Sequence, residues 1–249
     1  MWPNLQRWWG VILIVIAVCA TVWLAATQQL VLYIHPRYVV FTVVMAVIAL
    51  VLGVVSIAIR PGNSEEAAAP NVWSKLVGVI ALVLSGVVAI SLVVVPPTTL
   101  SSATASQRDI VGSTVGSDSQ NADDVASADQ SLIAAFTVVD WASLLRQTSD
   151  PSFYADKTAN VVGFITASED DPENIFYLSR FTVTCCAVDA QPTGVAVYAP
   201  NWGDEFEVDA WVEITGKFEI NPSSRSDVSL VLVPQKLSSV ERPREPYLY

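Results

Sequence analysis

One histidine, His35, has to serve all 249 residues, and none follows Pro97. That absence excludes a Ser/His/Asp hydrolase site or a histidine-rich metal centre from the C-terminal part of the chain. Cations are also scarce: 13 Lys and Arg stand against 24 Asp and Glu, a net charge of −11. Without a basic patch to neutralise phosphates, nucleic acid is excluded as a partner. Charge of either sign is thin, at 15% of residues against 52% hydrophobic. Such a chain is too apolar to be an ordinary soluble protein throughout. Cysteine occurs three times, as Cys19, Cys185 and Cys186, with no CxxC spacing.

The residues that are present divide sharply. Glu65 and Glu66 are the only acids before Pro97, so 22 of the 24 acids lie beyond it. The N-terminal part holds three apolar stretches without a charge, at about 8–26, 39–59 and 76–95. Crossing roughly 30 Å of hydrocarbon takes about 20 mostly apolar residues in a helix, which satisfies its own backbone in lipid. Three transmembrane helices within 1–97 are therefore expected. Trp8, Trp9, Tyr33, Tyr38 and Trp73 fall where interfacial aromatics belong. Pro36, Pro61–Gly62 and Pro96–Pro97 supply the breaks.

Two other readings of the first stretch are weaker. A cleaved signal peptide has a shorter apolar core, of about 7–15 residues. A lipoprotein cysteine would not sit as Cys19 does, inside the apolar run. Arg7, Arg60 and Lys75 lie on one side of the expected topology and Arg37 on the other. The positive-inside rule then places the N-terminus in the cytoplasm and the C-terminal domain outside it. The lone His35, between the first two helices, reads as a solvated interfacial residue or, more sharply, as an ion or proton contact. None of the three stretches carries a charged acid or base, so alone they offer a transported solute no polar path.

Residues 98–130 are rich in Ser, Thr, Ala, Asp and Gly and poor in large apolar side chains. That composition does not offset chain entropy, which predicts a flexible linker reaching on the order of 30 Å. Residues 131–249 are enough for one soluble, mainly-β domain. Ala134–Val139 has strand-like composition, and Asp140 reads as the N-cap of a short helix through Trp141, Leu144 and Leu145. Five β-like stretches follow, Ala159–Ala167, Ile175–Cys186, Gly194–Tyr198, Trp211–Ile220 and Val228–Leu237, separated by turn-forming residues. Five short strands in this length predict a small barrel of the oligonucleotide/oligosaccharide-binding (OB-like) type, with a small β-sandwich as the alternative. Gly163 and Gly216, inside strands, fit bends or bulges.

The segment from Arg180 to Gly194, RFTVTCCAVDAQPTG, is the one with distinctive chemistry. Adjacent cysteines in a strand point to opposite faces, so Cys185 and Cys186 can share a site only where the strand bulges or ends. They read either as inert thiols or as ligands for a soft or borderline metal ion such as zinc, with Asp189 a further oxygen ligand. A disulfide between neighbours needs a strained backbone. Arg180 is a binding candidate, or it forms a salt bridge with Asp189.

A Tyr-Ile-x-Pro-Arg loop between membrane helices, followed by Arg-Phe-x-x-x-Cys-Cys-x-x-Asp-Ala-x-Pro-x-Gly, resembles a bacterial family of uncharacterised YcgQ-like membrane proteins. These are described as permease subunit and repeat proteins. Gly163–Phe164 and Trp211–Val212 through Gly216 are further anchors. The resemblance implies a larger multi-helix permease as partner and no catalytic residues. The expectation is a non-enzymatic accessory subunit of a membrane permease, embedded in the lipid bilayer and needing no cofactor. Its helices dock the permease, and its C-terminal domain recognises a partner or solute. The alternative is a membrane-anchored metal-binding or thiol-redox protein that uses the Cys–Cys segment.

Overall fold

In a computed structural model, the structure describes residues 2–59, 80, 83, 84, 86, 87, 100–107, 121–125 and 130–249. The chain divides into two compact units, Met1–Thr98 and Thr99–Tyr249.

The N-terminal unit contains α1 (Trp2–Ala26) and α2 (Val39–Ile59), joined through short 3-10 turns at Leu30–Leu32 and Pro36–Tyr38. Thr21 and Thr27 donate their hydroxyls to the carbonyls of Ala17 and Trp23, each at 2.9 Å, so neither leaves a polar group unpaired on the helix. At Gly53 of α2 the missing Cβ lets Ile14 of α1 approach; an added Cβ would lie 3.1 Å from Ile14 Cδ1. Pro36–Val55 has mean hydropathy 2.9 and none of it is buried. Among the described residues it is the one helix long and apolar enough to cross a membrane, where three were expected. The described apolar part of α1, Leu13–Ala26, is shorter than a full span. The third expected helix, 76–95, lies largely outside the described residues.

The C-terminal unit is a six-stranded sheet with short helices on it: α3 (Ser102–Ala105), α4 (Ala122–Val125), α5 (Gln130–Ile133), α6 (Val138–Gln147) and α7 (Pro151–Tyr154). Its strands are β1 (Ala159–Ala167), β2 (Ile175–Thr182), β3 (Gln191–Tyr198), β4 (Trp211–Ile220), β5 (Leu230–Ser239) and β6 (Tyr247–Leu248). The order is β1-β4-β5-β3-β2-β6, and β1 also pairs with β2. Following neighbours from β1 through β4, β5, β3 and β2 therefore returns to β1. Strand β6 lies outside this ring, parallel to β2, with Phe181 opposite Tyr247.

Two glycines make the strand curvature possible. Gly216 sits where the β4–β5 register shifts, and a Cβ there would collide with the Val233 carbonyl. At Gly163 it would meet the Ser179 carbonyl oxygen at 2.7 Å. Only glycine tolerates such close backbone approach, which is its usual role at a bulge.

Alternation fills the interior. Val161 and Ile165 of β1, Phe176 and Leu178 of β2, Val195 and Val197 of β3, Val212 and Ile214 of β4 and Leu232 of β5 belong to one buried cluster. Helix α6 adds Val138, Trp141, Ala142 and Leu144 to it, the 3–4 spacing of an amphipathic helix face. Trp141 is fully buried, its ring 5.1 Å from Phe218 and 5.5 Å from Phe136. Each such large side chain contributes about 1.5–3 kcal/mol by leaving water.

Three expectations need correction. Ala134–Val139 is not a strand: α5 ends at Ile133 and α6 begins at Val138. The N-cap of α6 is Thr137, and Asp140, at the third helical position, accepts from the Thr137 N–H (2.8 Å) and hydroxyl (2.7 Å). That is a capping box read three residues too late. The linker expected over 98–130 is not a free tether where it is described. Ala105 and Val125 are fully buried, and the N–H groups of Leu100 and Ser102 donate to Tyr247 Oη (3.1 Å) and Asp209 Oδ1 (2.6 Å). Small residues anchor a chain by fitting closely rather than by burying large area, which composition alone does not register.

Candidate functional site

Strand β2 ends at Thr182, before the two cysteines, so the pleat no longer forces them onto opposite faces. Cys186 caps a 3-10 turn at Ala187–Asp189, and the Asp189 N–H donates to the Cys186 carbonyl at 3.0 Å. The Asp189 carboxylate closes the loop from the other side. It accepts from the N–H groups of Cys185 (2.7 Å), Cys186 (3.3 Å) and Thr184 (3.4 Å). This folded-back loop brings the two sulfurs to 3.6 Å, and Sγ of Cys185, Sγ of Cys186 and a carboxylate oxygen of Asp189 all lie within 4.8 Å of one another. Cys185 is exposed and the other two are half-buried, and all three cysteines of the chain are free thiols.

The charges in the loop oppose one another. The Asp189 carboxylate beside it, together with the Cys186 thiol, pushes the Cys185 thiol up to about 11. Partial burial pushes Asp189 up, but the Cys185 thiol and the backbone N–H donors outweigh it and hold the carboxyl below its usual range. At neutral pH the Cys185 sulfur therefore carries its proton and donates it toward Cys186 Sγ at 3.6 Å. A thiophilic metal ion would have to displace that proton, which is ordinary for thiolate ligands.

Arg180 does not belong to this cluster. It is 8% exposed and donates to the carbonyls of Pro246 (3.0 Å), Glu245 (3.0 Å) and Val162 (3.3 Å), with its guanidinium 5.2 Å from the Trp211 ring centre. Burial pulls its pKa down to about 10, against the opposing field of Tyr249. The salt bridge considered with Asp189 is replaced by this clamp on the C-terminal segment. His35 lies in the N-terminal unit and orders its own loop. Its Nδ1 accepts from the Arg37 N–H at 3.1 Å, and Tyr38 packs edge-on to its ring at 6.1 Å. With Nδ1 accepting, a neutral ring carries its proton on Nε2, so the 3.4 Å approach of Arg37 Nη2 to Nε2 is a contact between donors.

Sequence reading missed a second concavity, a groove of about 370 Å³ between α6 and the outer face of β2 and β3. Arg146, Asp170, Tyr177, Gly194 and Asp227 are among its lining residues, and none of the three cluster ligands is. Desolvation lowers the pKa of Arg146. These five residues come from α6, the β1–β2 turn, β2, β3 and the β4–β5 loop, and no local motif announces them.

An apolar helical unit followed by a sheet domain with a loop-borne dithiol defines a two-part chain, and family comparison also divides it in two, with the boundary about fifteen residues later. Residues 9–111 match the DUF1980 N-terminal domain and residues 117–249 the DUF1980 C-terminal domain. The chain belongs to the DUF1980 family. No curated protein and no solved structure matches it.

Proposed function

We propose that this chain is a non-enzymatic, membrane-anchored accessory subunit of a multi-helix permease, and that its C-terminal domain binds a soft or borderline metal ion such as zinc. The observation that carries the reading is the convergence of Cys185, Cys186 and Asp189 within 4.8 Å on an accessible loop. Two thiolates suit a soft or borderline cation, and ligands from outside the loop complete its coordination. The apolar, unburied α2 supports anchoring in a bilayer. The cation distribution around the helices favours a cytoplasmic N-terminus and an extracytoplasmic C-terminal domain.

The ring of strand pairings supports an OB-like barrel, with α6 packed into its core. In this reading the barrel is a scaffold, and the β2–β3 loop presents the ion to the permease.

The test is purification of the full chain in mild detergent after crosslinking, with metal analysis and mass spectrometry of partners on one sample. A crosslinked multi-helix membrane protein and stoichiometric metal, lost on Cys185→Ser, are expected. Metal-free protein with two titratable thiols would remove the metal assignment, and a chain recovered without any multi-helix partner would remove the subunit assignment.

A further inference from the structure

We infer that the β2–β3 loop is a self-complementary docking tip, at which two copies of this chain share one tetrahedral metal ion through four thiolates. The inference rests on the metal-binding reading above and adds the coordination and the partner.

Its first support is the sulfur separation. With a metal–sulfur bond of about 2.3 Å, two ligands of a tetrahedral ion lie about 3.75 Å apart, whereas a linear ion with the same bonds holds them about 4.6 Å apart. The 3.6 Å between Sγ of Cys185 and Sγ of Cys186 is close to the tetrahedral spacing and about 1 Å short of the linear one.

The second support is ligand supply. Asp189 already accepts three backbone N–H groups that build the loop, so its lone pairs are largely committed. The C-terminal unit has no other cysteine and no histidine. A second copy of the chain brings two further thiolates of the same kind. The opposite edges of a tetrahedron are related by a two-fold axis, the symmetry of the commonest homodimers. A second copy presents an identical edge, and the four-thiolate set is a closed zinc site.

The third support is access. Cys185 is exposed at the loop, and Val188, one residue before Asp189, is 84% exposed. The sulfurs are thus open to approach by a second copy, with Val188 at the point of contact. Assembly balances as four thiols and one divalent ion giving the tetrathiolate complex, with net charge −2, and four released protons.

The experiment uses the full chain in detergent, stripped of metal and titrated with Zn²⁺ or Co²⁺, with mass and stoichiometry read by native mass spectrometry. A metal-dependent dimer is expected, saturating at one ion per two chains, with the Co²⁺ charge-transfer absorption of a tetrahedral tetrathiolate. Cys185→Ser and Cys186→Ser should each abolish the dimer. Val188→Glu should weaken it by at least about tenfold, because it places two carboxylates across the two-fold contact. One ion per monomer would overturn the shared site and leave the metal-binding reading standing. Absence of bound metal, with the circular-dichroism spectrum unchanged, would overturn both.

Discussion

Ser223 donates its hydroxyl to the Asp171 carboxylate across 2.6 Å, tying the β4–β5 loop to the β1–β2 turn. Asp171 is 1% exposed and also accepts two contacts from the Asn174 side-chain amide, at 2.9 and 3.1 Å. Arg225 stands 3.6 Å away with most of its side chain in water. The Ser223 hydroxyl is the largest influence on the carboxyl; burial opposes it, and Asn174 and Arg225 help hold the pKa below its usual value.

A depressed carboxylate stabilises the fold above its unfolded pKa, about 3.9, and that stability is lost as pH falls through the lower folded value. Ser223→Ala should therefore reduce stability at neutral pH and shorten the acid-side loss, because the folded pKa moves up toward the unfolded value at which that loss begins. Asp171→Asn should flatten that acid limb. Denaturant midpoints of the full chain between pH 3 and pH 7 would show both, and an unchanged acid limb in Asp171→Asn would mean that other carboxylates set it.

At the dithiol loop, Asp189→Asn removes the charge that keeps Cys185 protonated while preserving an oxygen acceptor for the backbone N–H groups. The thiol should return from about 11 toward the ordinary range. The gain in thiolate outweighs the accompanying loss of nucleophilicity, so alkylation of Cys185 near pH 8 should accelerate by up to about tenfold. Rates on a Cys186→Ser background, with and without the Asn substitution, measure this. Equal rates would show that Asp189 does not govern the thiol.

Arg180→Met should release the C-terminal segment. Charged donors to carbonyls contribute roughly 1.5–3 kcal/mol each, and part is offset by the cost of burying the guanidinium, so a loss of about 2–4 kcal/mol is expected. Limited proteolysis should then cut around Glu245–Tyr247 before the strands. Retained protection there would show that the β2–β6 pairing and the Phe181–Tyr247 ring contact, 6.4 Å between centres, hold the segment without the clamp.

Gly216→Ala places a methyl group against the Val233 backbone. The carbonyl cannot swing aside as a flexible side chain would, so destabilisation of about 1–3 kcal/mol or more is expected. Val212→Ala, on the same strand but away from the register shift, separates the two mechanisms: it should cost stability through a cavity and leave the β4–β5 register unchanged, as read by amide exchange.

Much of the sheet was legible because its strands alternate or are rich in β-branched residues between clear turn formers. The bounds of β1 and β4 follow directly from that pattern. The end of β2 does not, since Val183 and Thr184 extend the β-like composition beyond Thr182 and the loop is set by Asp189, several residues later. Strand β6 has two residues and shows no period; it is fixed by its pairing with β2 and by the Arg180 clamp. The sequence picked out Cys185, Cys186 and Asp189 as chemistry, and the loop explains how adjacent cysteines come to share a side. Arg180 was grouped with them by proximity along the chain, but its strand turns it toward the C-terminal segment instead.

The closing pair in the ring of strands bears on the order in which the domain assembles. β1, β2 and β3 join through neighbouring antiparallel pairings, and β4 and β5 form a hairpin of their own. Between β3 and β5 the parallel pairing is the single bridge Val197 to Leu232, and β1 must reach β4 across some forty intervening residues. Loop-closure entropy is spent before those distant pairings return any energy, so the local hairpins can form early while the joining of the two halves sets the folding rate. Until that step the edges of β3 and β5 remain open to strands of other chains, and the interval between hairpin formation and ring closure is when this domain is most exposed to aggregation.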